Sequence, residues 1–490
     1  MPLIYLANKG EVDVTANQVF GEQRHKLAHD FHRPIYHFTA PANWMNDPNG
    51  VIQWGGKYHL FYQHNPERAG FGTMYWGHAV SEDMIHWQDL PFALTPTPGG
   101  PDERGCWSGC TVDNAGVPTV IYTGVRGEHY EIQTQCIATS QDRLLTWNKY
   151  RGNPVLSQIP AQSNQNYDFR DPFVWREGDT WYLILASRIK DVGGAVFLYR
   201  SPDLIHWEFL HPLLTGSIDK NGSVWECPTF FSLGDKWVLI VAGKGGNIPF
   251  TVFYFIGDYA DQQFVPEVEG ILDHGYFYAP LTMQDSQGRR LLWGWLREGR
   301  SEESHLAAGW AGAHAIPREL SLWNGQLHME PVPELNAIRG ARIDLSHITL
   351  SGEETPLDVQ GMVLDIEAEF EVSGMVGLAV ACAPDGSEQT RISYDPSAKR
   401  LIVSREHSSL EAGNDTFPNV APHELSPVES LRLHILLDGS TLEIIANGRT
   451  SLCSRIYPSR ANSQGLRLFG QGNLKTMSIW QMSSIWPEHS

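Results

Sequence analysis

Short apolar, aromatic-rich runs alternate with clusters of Gly, Pro, Asn and Asp through most of this chain, and helical periodicity is scarce. The pattern repeats. A Gly-led turn feeds a short apolar strand five times: Gly56 to Phe61, Gly116 to Tyr122, Gly178 to Leu185, Gly234 to Val241 and Gly288 to Trp293. The spacings between these glycines are 60, 62, 56 and 54 residues. A second feature keeps the same beat: Ser81 to Trp87, Ser140 to Trp147 and Ser201 to Trp207 each carry Asp two residues after the Ser, and their tryptophans are 60 residues apart. Unrelated hairpins could share one such feature by chance, but two independent features in one register argue for a true repeat. A several-stranded β unit at this period predicts an all-β propeller, and five units predict five blades.

The repeat ends after Pro317-Arg318-Glu319-Leu320, and a Pro-containing connector follows. From about Ala341 the pattern becomes alternating strands. Leu431, Leu433, Ile435 and Leu437 alternate up to Asp438-Gly439-Ser440, and Leu442, Ile444 and Ala446 alternate after it. That predicts a hairpin with one buried face, and about 150 residues of such strands predict a β-sandwich. The expected organisation is an N-terminal extension over 1–30, a five-bladed propeller over 31–330, a linker over 331–340 and a β-sandwich over 341–490.

Composition narrows the function classes. A chain of 490 residues exceeds one ordinary domain and can bury a large core. Its net charge of −20 argues against nucleic acid or an anionic membrane as partner. Met1 to Lys26 holds no apolar run long enough for a signal peptide or a membrane span, so a cytoplasmic location is expected. The six cysteines are scattered without a CxxC pair and are expected as buried free thiols. Nothing here opposes a homo-oligomer.

The first strand of a propeller blade lines the central channel. Three of the five expected first strands begin with a carboxylate: Asp47-Pro48-Asn49-Gly50, Asp171-Pro172-Phe173 and Glu226-Cys227-Pro228. They precede their turn glycines by 9, 7 and 8 residues, so the three acids should converge at one channel mouth. A lone Asp-Pro-Asn-Gly would read as an Asx-turn, but recurrence at matching blade positions outweighs that. Three acids in one cavity need partners, and Arg170, Asn46 and Asn49 are the natural ones. Two carboxylates across a sugar ring suffice for glycoside hydrolysis, and a third can hold hydroxyls. Trp44, Trp76, Trp107, Trp225 and Trp295 offer flat faces to a sugar, although blade packing accounts for most of the 17 Trp. A Ca²⁺ or Mg²⁺ site is the competing use of the acids. It stands behind because they lie on three strands with no dense ligand loop, so no metal or cofactor is expected.

Trp44-Met45-Asn46-Asp47-Pro48-Asn49-Gly50, Phe169-Arg170-Asp171-Pro172 and Trp225-Glu226-Cys227-Pro228 resemble the three signature motifs of glycoside hydrolase family 32, which includes invertases, inulinases, levanases and fructan exohydrolases. The resemblance extends from about Phe31 over essentially the whole chain. It implies a propeller with a C-terminal β-sandwich and retaining cleavage of terminal β-D-fructofuranosides. It implies Asp47 as nucleophile, Glu226 as acid/base and Asp171 as transition-state stabiliser. Asn46, Gln63, Ser108 and Arg170 resemble fructose-binding residues, with Phe71, Trp107 and Trp295 as aromatic walls. The chain departs at Phe71, where the family often has Trp, and at Cys110, where a second Ser is usual. It departs also at Tyr276, where plant invertases carry a Lys three residues after an Asp matching Asp273. Asp273 is kept and is a further expected substrate contact.

The implied mechanism needs a raised pKa at Glu226 and a low one at Asp47. Retention predicts roughly 5–5.5 Å between these carboxylates. Sucrose or a fructo-oligosaccharide is the expected substrate. A fructan exohydrolase or fructosyltransferase shares the chemistry, and a non-catalytic sugar-binding propeller is the alternative outside it. A sucrose-6-phosphate enzyme would need a basic phosphate pocket, which the sequence does not reveal.

Overall fold

The computed structural model describes residues 11–163, 165 and 167–486, with side chains from residue 18 onward. Five antiparallel sheets form the blades of a propeller, and their first strands form a closed ring about the channel. These inner strands are Asn43–Trp54, Gly105–Asn114, Arg170–Glu177, Val224–Leu233 and Phe277–Gln284. The repeated glycine turns each join an inner strand to the next strand outward. Gly56, Gly116, Gly178, Gly234 and Gly288 all sit at positive φ, between 59° and 86°, where a side chain would strain the backbone. The Ser–Asp repeats join the third strand to the outer one in blades 1 to 3. Asp83 Oδ1 accepts from the Ile85 and His86 amides, and Asp203 Oδ1 from those of Ile205 and His206. These are Asx-type turns, so the repeat has a local cause.

Blade 1 also holds a short parallel pairing of Asn43 and Trp44 with Trp310 and Ala311, which returns the end of the propeller to its start. The N-terminal helix Glu11–Leu27 docks on the outer edge of the same blade. Arg24 binds Asp89 through both carboxylate oxygens at 2.9 Å, and its guanidinium lies 3.2 Å from the Trp486 ring centre. Sequence reading had assigned no structure to this extension.

A 3-10 turn, Pro333–Ile338, follows the last propeller strand, Gln326–Pro331. The C-terminal domain then forms a ten-stranded, nearly closed β-sandwich whose longest strands are Val363–Cys382 and Gly465–Met482. Its core gathers Leu, Ile and Val from facing strands, among them Ile366, Leu378, Ile435, Leu442 and Ile479. The hairpin of Leu431–Asp438 and Thr441–Ala446 pairs as its alternation predicts, with Asp438 opposite Thr441. One correction concerns its faces. Thr441–Ala446 is buried on both, because Glu443 and Ile445 pack against the propeller rather than facing water.

Candidate active site

Each inner strand carries a β-bulge near the same end. The registers shift between Met45 and Pro48, Trp107 and Gly109, Arg170 and Phe173, Glu226 and Thr229, and Tyr278 and Leu281. A bulge twists its strand and re-aims the side chain at the extra position. In three strands a Pro lies within the bulge (Pro172, Pro228 and Pro280), where its missing N–H costs no ladder bond, and in a fourth Pro48 closes it. Asp171, Cys227 and Ala279 also take positive φ, at 58°, 46° and 49°. The bulges turn Asp47, Ser108, Asp171, Glu226 and Tyr278 towards one cavity of about 560 Å³, a volume within the range of small-molecule sites.

Ten of the eleven residues expected as catalytic groups or substrate contacts line this cavity: Asp47, Asp171 and Glu226 with Asn46, Gln63, Phe71, Trp107, Ser108, Arg170 and Trp295. Asp47 Oδ2 accepts from Ser108 Oγ at 2.6 Å, and its Oδ1 accepts from Asn46 Nδ2 at 2.9 Å. Asn46 is itself held by the indole N–H of Trp44. Asp171 Oδ2 accepts from the Cys227 amide at 2.9 Å. Glu226 Oε1 accepts from Arg170 Nη2 at 2.8 Å and Lys244 Nζ at 2.9 Å, and Oε2 from the Tyr278 hydroxyl at 2.7 Å. Arg170 is fixed in turn by Asp168 and Gln133. Gln63 donates to the Cys106 carbonyl. Phe71, half exposed, stands at the rim edge-on to Trp107. The indole N–H groups of Trp107 and Trp295 are buried in the wall with no partner, so a bound ligand's oxygens could take them up.

Asp273 is elsewhere. Its carboxylate is buried between the domains, accepting from Ser451 Oγ at 2.5 Å and from the amides of Gly275 and Cys453. It borders a second cavity, not the one holding the acids. The sandwich strand Thr450–Arg455 supplies the Ser451 and Cys453 donors, and nothing local to Asp273 foretold them.

The electrostatics also differ from the sequence-based expectation. Burial works against ionised Glu226, but Arg170 and Lys244 outweigh it and bring its pKa down to about 2. Burial raises Asp47 despite its donors from Ser108 and Asn46. Asp171 is pushed up to about 7 by burial, against the pull of Arg170. In the ligand-free site Asp171 therefore holds a proton more readily than Glu226 does. The causes are Arg170 first and then Lys244, which reaches Glu226 from the second strand of blade 4, Lys236–Gly245. No motif marked Lys244. Tyr278 was also missed, although Ala279-Pro280 repeats the Pro placement of the other inner strands and could have flagged it.

The family model described as "Glycosyl hydrolases family 32 N-terminal domain" matches residues 37–331, and "Glycosyl hydrolases family 32 C terminal" matches residues 334–482. The chain belongs to glycosyl hydrolase family 32. Among its relatives, a sucrose-6-phosphate hydrolase of Zymomonas mobilis is 36% identical over 467 residues, 89% of each chain. A raffinose invertase of Escherichia coli is 35% identical over 479 residues, 92% of this chain and 95% of that one. The crystal structure of fructan 1-exohydrolase IIa of Cichorium intybus in complex with 1-kestose superposes with a TM-score of 0.85 at 27% identity, covering 93% of this chain and 98% of that one. The family-32 fold thus runs through both domains of this chain.

Proposed function

We propose that this family-32 protein is a retaining β-fructofuranosidase that cleaves terminal β-D-fructofuranosides, with sucrose as its main substrate. The observation that carries the reading is the convergence of Asp47, Asp171 and Glu226 from three blades on one cavity. Asp47, oriented by Asn46 and Ser108, attacks the anomeric carbon of the fructosyl unit. Glu226 protonates the departing oxygen, and water then releases the fructosyl-enzyme with Glu226 as base. Asp171 accepts hydrogen bonds from fructosyl hydroxyls, which strengthen as the ring gains oxocarbenium character.

Glu226 must gain a proton before it can donate one. The leaving sugar enters on the Lys244 side and parts Lys244 from Glu226, which raises the carboxyl pKa. Asp171, which holds a proton more readily in the empty site, is the near source. A cytoplasmic location belongs to the same reading. It is supported by six free, buried cysteines, the thiol state of a reducing compartment.

The test is product analysis on sucrose with Glu226→Gln alongside. Equal fructose and glucose, absent in the variant, are expected. Glucose in excess over fructose would mean transfer to sugar rather than to water. Turnover of inulin or levan without turnover of sucrose would make the protein a fructan exohydrolase.

A further inference from the structure

The propeller channel has a second mouth. The acids stand where the five inner strands begin. Residues 51–54, 110–113, 173–177, 230–232 and 281–284, from the other end of the same strands, line a further cavity of about 610 Å³. Asp47 and Gln53 lie on one strand, roughly 20 Å apart at the usual rise, so one small sugar cannot fill both mouths. Trp54, Trp175 and Trp237 are half-buried in the wall of this cavity. Trp175 stacks on Tyr182 with ring centres 5.5 Å apart, and Trp237 on Phe230 at 4.7 Å, which holds both indoles in place.

Packing between blades accounts for these rings but not for Arg290. It opens the second strand of blade 5, Arg290–Leu296, and reaches across to blade 4, where its Cζ lies 4.5 Å from the Phe231 ring centre. Its Nε is buried with no partner, and among the described residues no carboxylate pairs with its guanidinium. A donor left unpaired in a wall costs stability, and a ligand oxygen would satisfy it. The groups around it narrow the ligand. Glu177 spends one carboxylate oxygen on the Trp175 indole N–H at 2.7 Å, and Asp113 spends one on the Gly116 amide at 2.6 Å. Each keeps its other oxygen. Gln53 accepts from the Ser286 amide through Oε1 and keeps its NH₂ group, and Arg176 meets Asp179 only at 3.5 Å. An anion drawn to Arg290 would meet the two carboxylates, and an apolar ligand would leave Nε unpaired. A polyol answers donors and acceptors alike, and its C–H faces suit the indoles.

We infer that the far mouth is a second sugar-binding site, which holds a neutral mono- or disaccharide between Arg290, Glu177 and Asp113 and the indoles of Trp175 and Trp237. It stands apart from the fructosidase reading, because none of its residues lines the acid cavity. A sugar held here touches no catalytic group, so losing the site leaves turnover at the acids intact.

The experiment follows the indole N–H signals of tryptophan-labelled Glu226→Gln by NMR while sucrose, glucose or fructose is added. Trp175→Phe and Trp237→Phe assign the signals of the far mouth. Those signals should shift and saturate with at least one of the sugars. Arg290→Met, made in the same background, should weaken that binding about tenfold or more, the worth of a charged hydrogen bond. Trp107 and Trp295 report the acid cavity in the same titration and should respond alike with or without Arg290. Because Met keeps an apolar stem on Phe231 and Arg290 has no partner to lose, Arg290→Met alone should melt at or above the wild-type temperature and turn over sucrose with unchanged kcat/KM. Far-mouth signals that stay still, or drift without saturating, with all three sugars overturn the inference. Saturation unchanged by Arg290→Met overturns it too, as does a response to benzoate where the sugars give none. Turnover of no fructoside by the wild type would fell the hydrolase reading, while the titration still decides the far mouth.

Discussion

Two buried carboxylate clusters serve opposite ends in this protein. Asp47, Asp171 and Glu226 sit at the channel mouth, while Asp273, Asp438 and Glu443 sit between the domains. The interdomain acids take six backbone amides: those of Ile35, Tyr36 and His37 to Asp438, Ile316 to Glu443, and Gly275 and Cys453 to Asp273. Arg318 and His37 add charge and hydrogen bonds to Glu443. Among the described residues the catalytic cluster takes one backbone amide, from Cys227 to Asp171. Side chains hold the rest, and a cavity remains. Backbone amides cannot leave, so the first arrangement is fixed. Side-chain donors can trade partners with a ligand, so the second is competent for chemistry but left with charge that burial penalises.

Removing one acid from each cluster should separate them most sharply. Asp47→Asn or Glu226→Gln should cut sucrose turnover by about 10⁴-fold or more, leaving the melting temperature at or above wild type. A large drop in melting temperature would show that the site acids are structural. Arg318→Met should do the reverse. Glu443 would be left buried without its guanidinium partner, at a cost of about 3–5 kcal/mol in denaturant unfolding. Wild-type stability in that variant would mean that the two domains do not depend on this pair.

One acid from each cluster, Asp171 and Glu443, should also answer pH with opposite sign. Asp171, raised to about 7, binds a proton in the native state that the unfolded chain releases near pH 4. Its contribution to stability therefore improves as pH falls from 7 towards 4 and is lost as pH rises through 7. Glu443, held down at about 2 by Arg318 and His37 against burial, contributes stability above pH 4 that is lost as pH falls towards 2. Asp171→Asn should gain more stability over wild type at pH 8 than at pH 5, by urea titration at both. Equal gains would contradict the raised pKa. The smallest effect expected is that of Lys244→Met. Without the cation Glu226 holds its proton to higher pH, and the basic limb of kcat/KM should move up by about one pH unit. An unmoved limb would remove Lys244 from the control of Glu226.

The catalytic cluster was far more legible in the sequence than the interdomain one. Each blade repeats a local pattern, so matching offsets from turn glycines placed Asp47, Asp171 and Glu226 on equivalent strands without any knowledge of distance. Arg170 and Asn46 were legible because they adjoin the acids, and Ser108 through the family resemblance. Lys244 was not, since it lies on a second strand whose apolar pattern carries no marker. Asp273 was misread because its partners, Ser451 and Cys453, lie about 180 residues away.

By itself the sequence determined the repeat, the five blades, the sandwich and the three acids, because turns, strand alternation and bulge prolines act over a few residues. Tertiary structure alone decided which face of each domain meets the other. It turned Asp273 from an expected substrate contact, and Glu443 from the outward face of a hairpin expected to bury one side, into buried braces. It also brought Lys244 to Glu226 and left Arg290 unpaired at the far channel mouth. Those outcomes depend on burial and on charges meeting across long stretches of chain, and both are properties of the packed molecule.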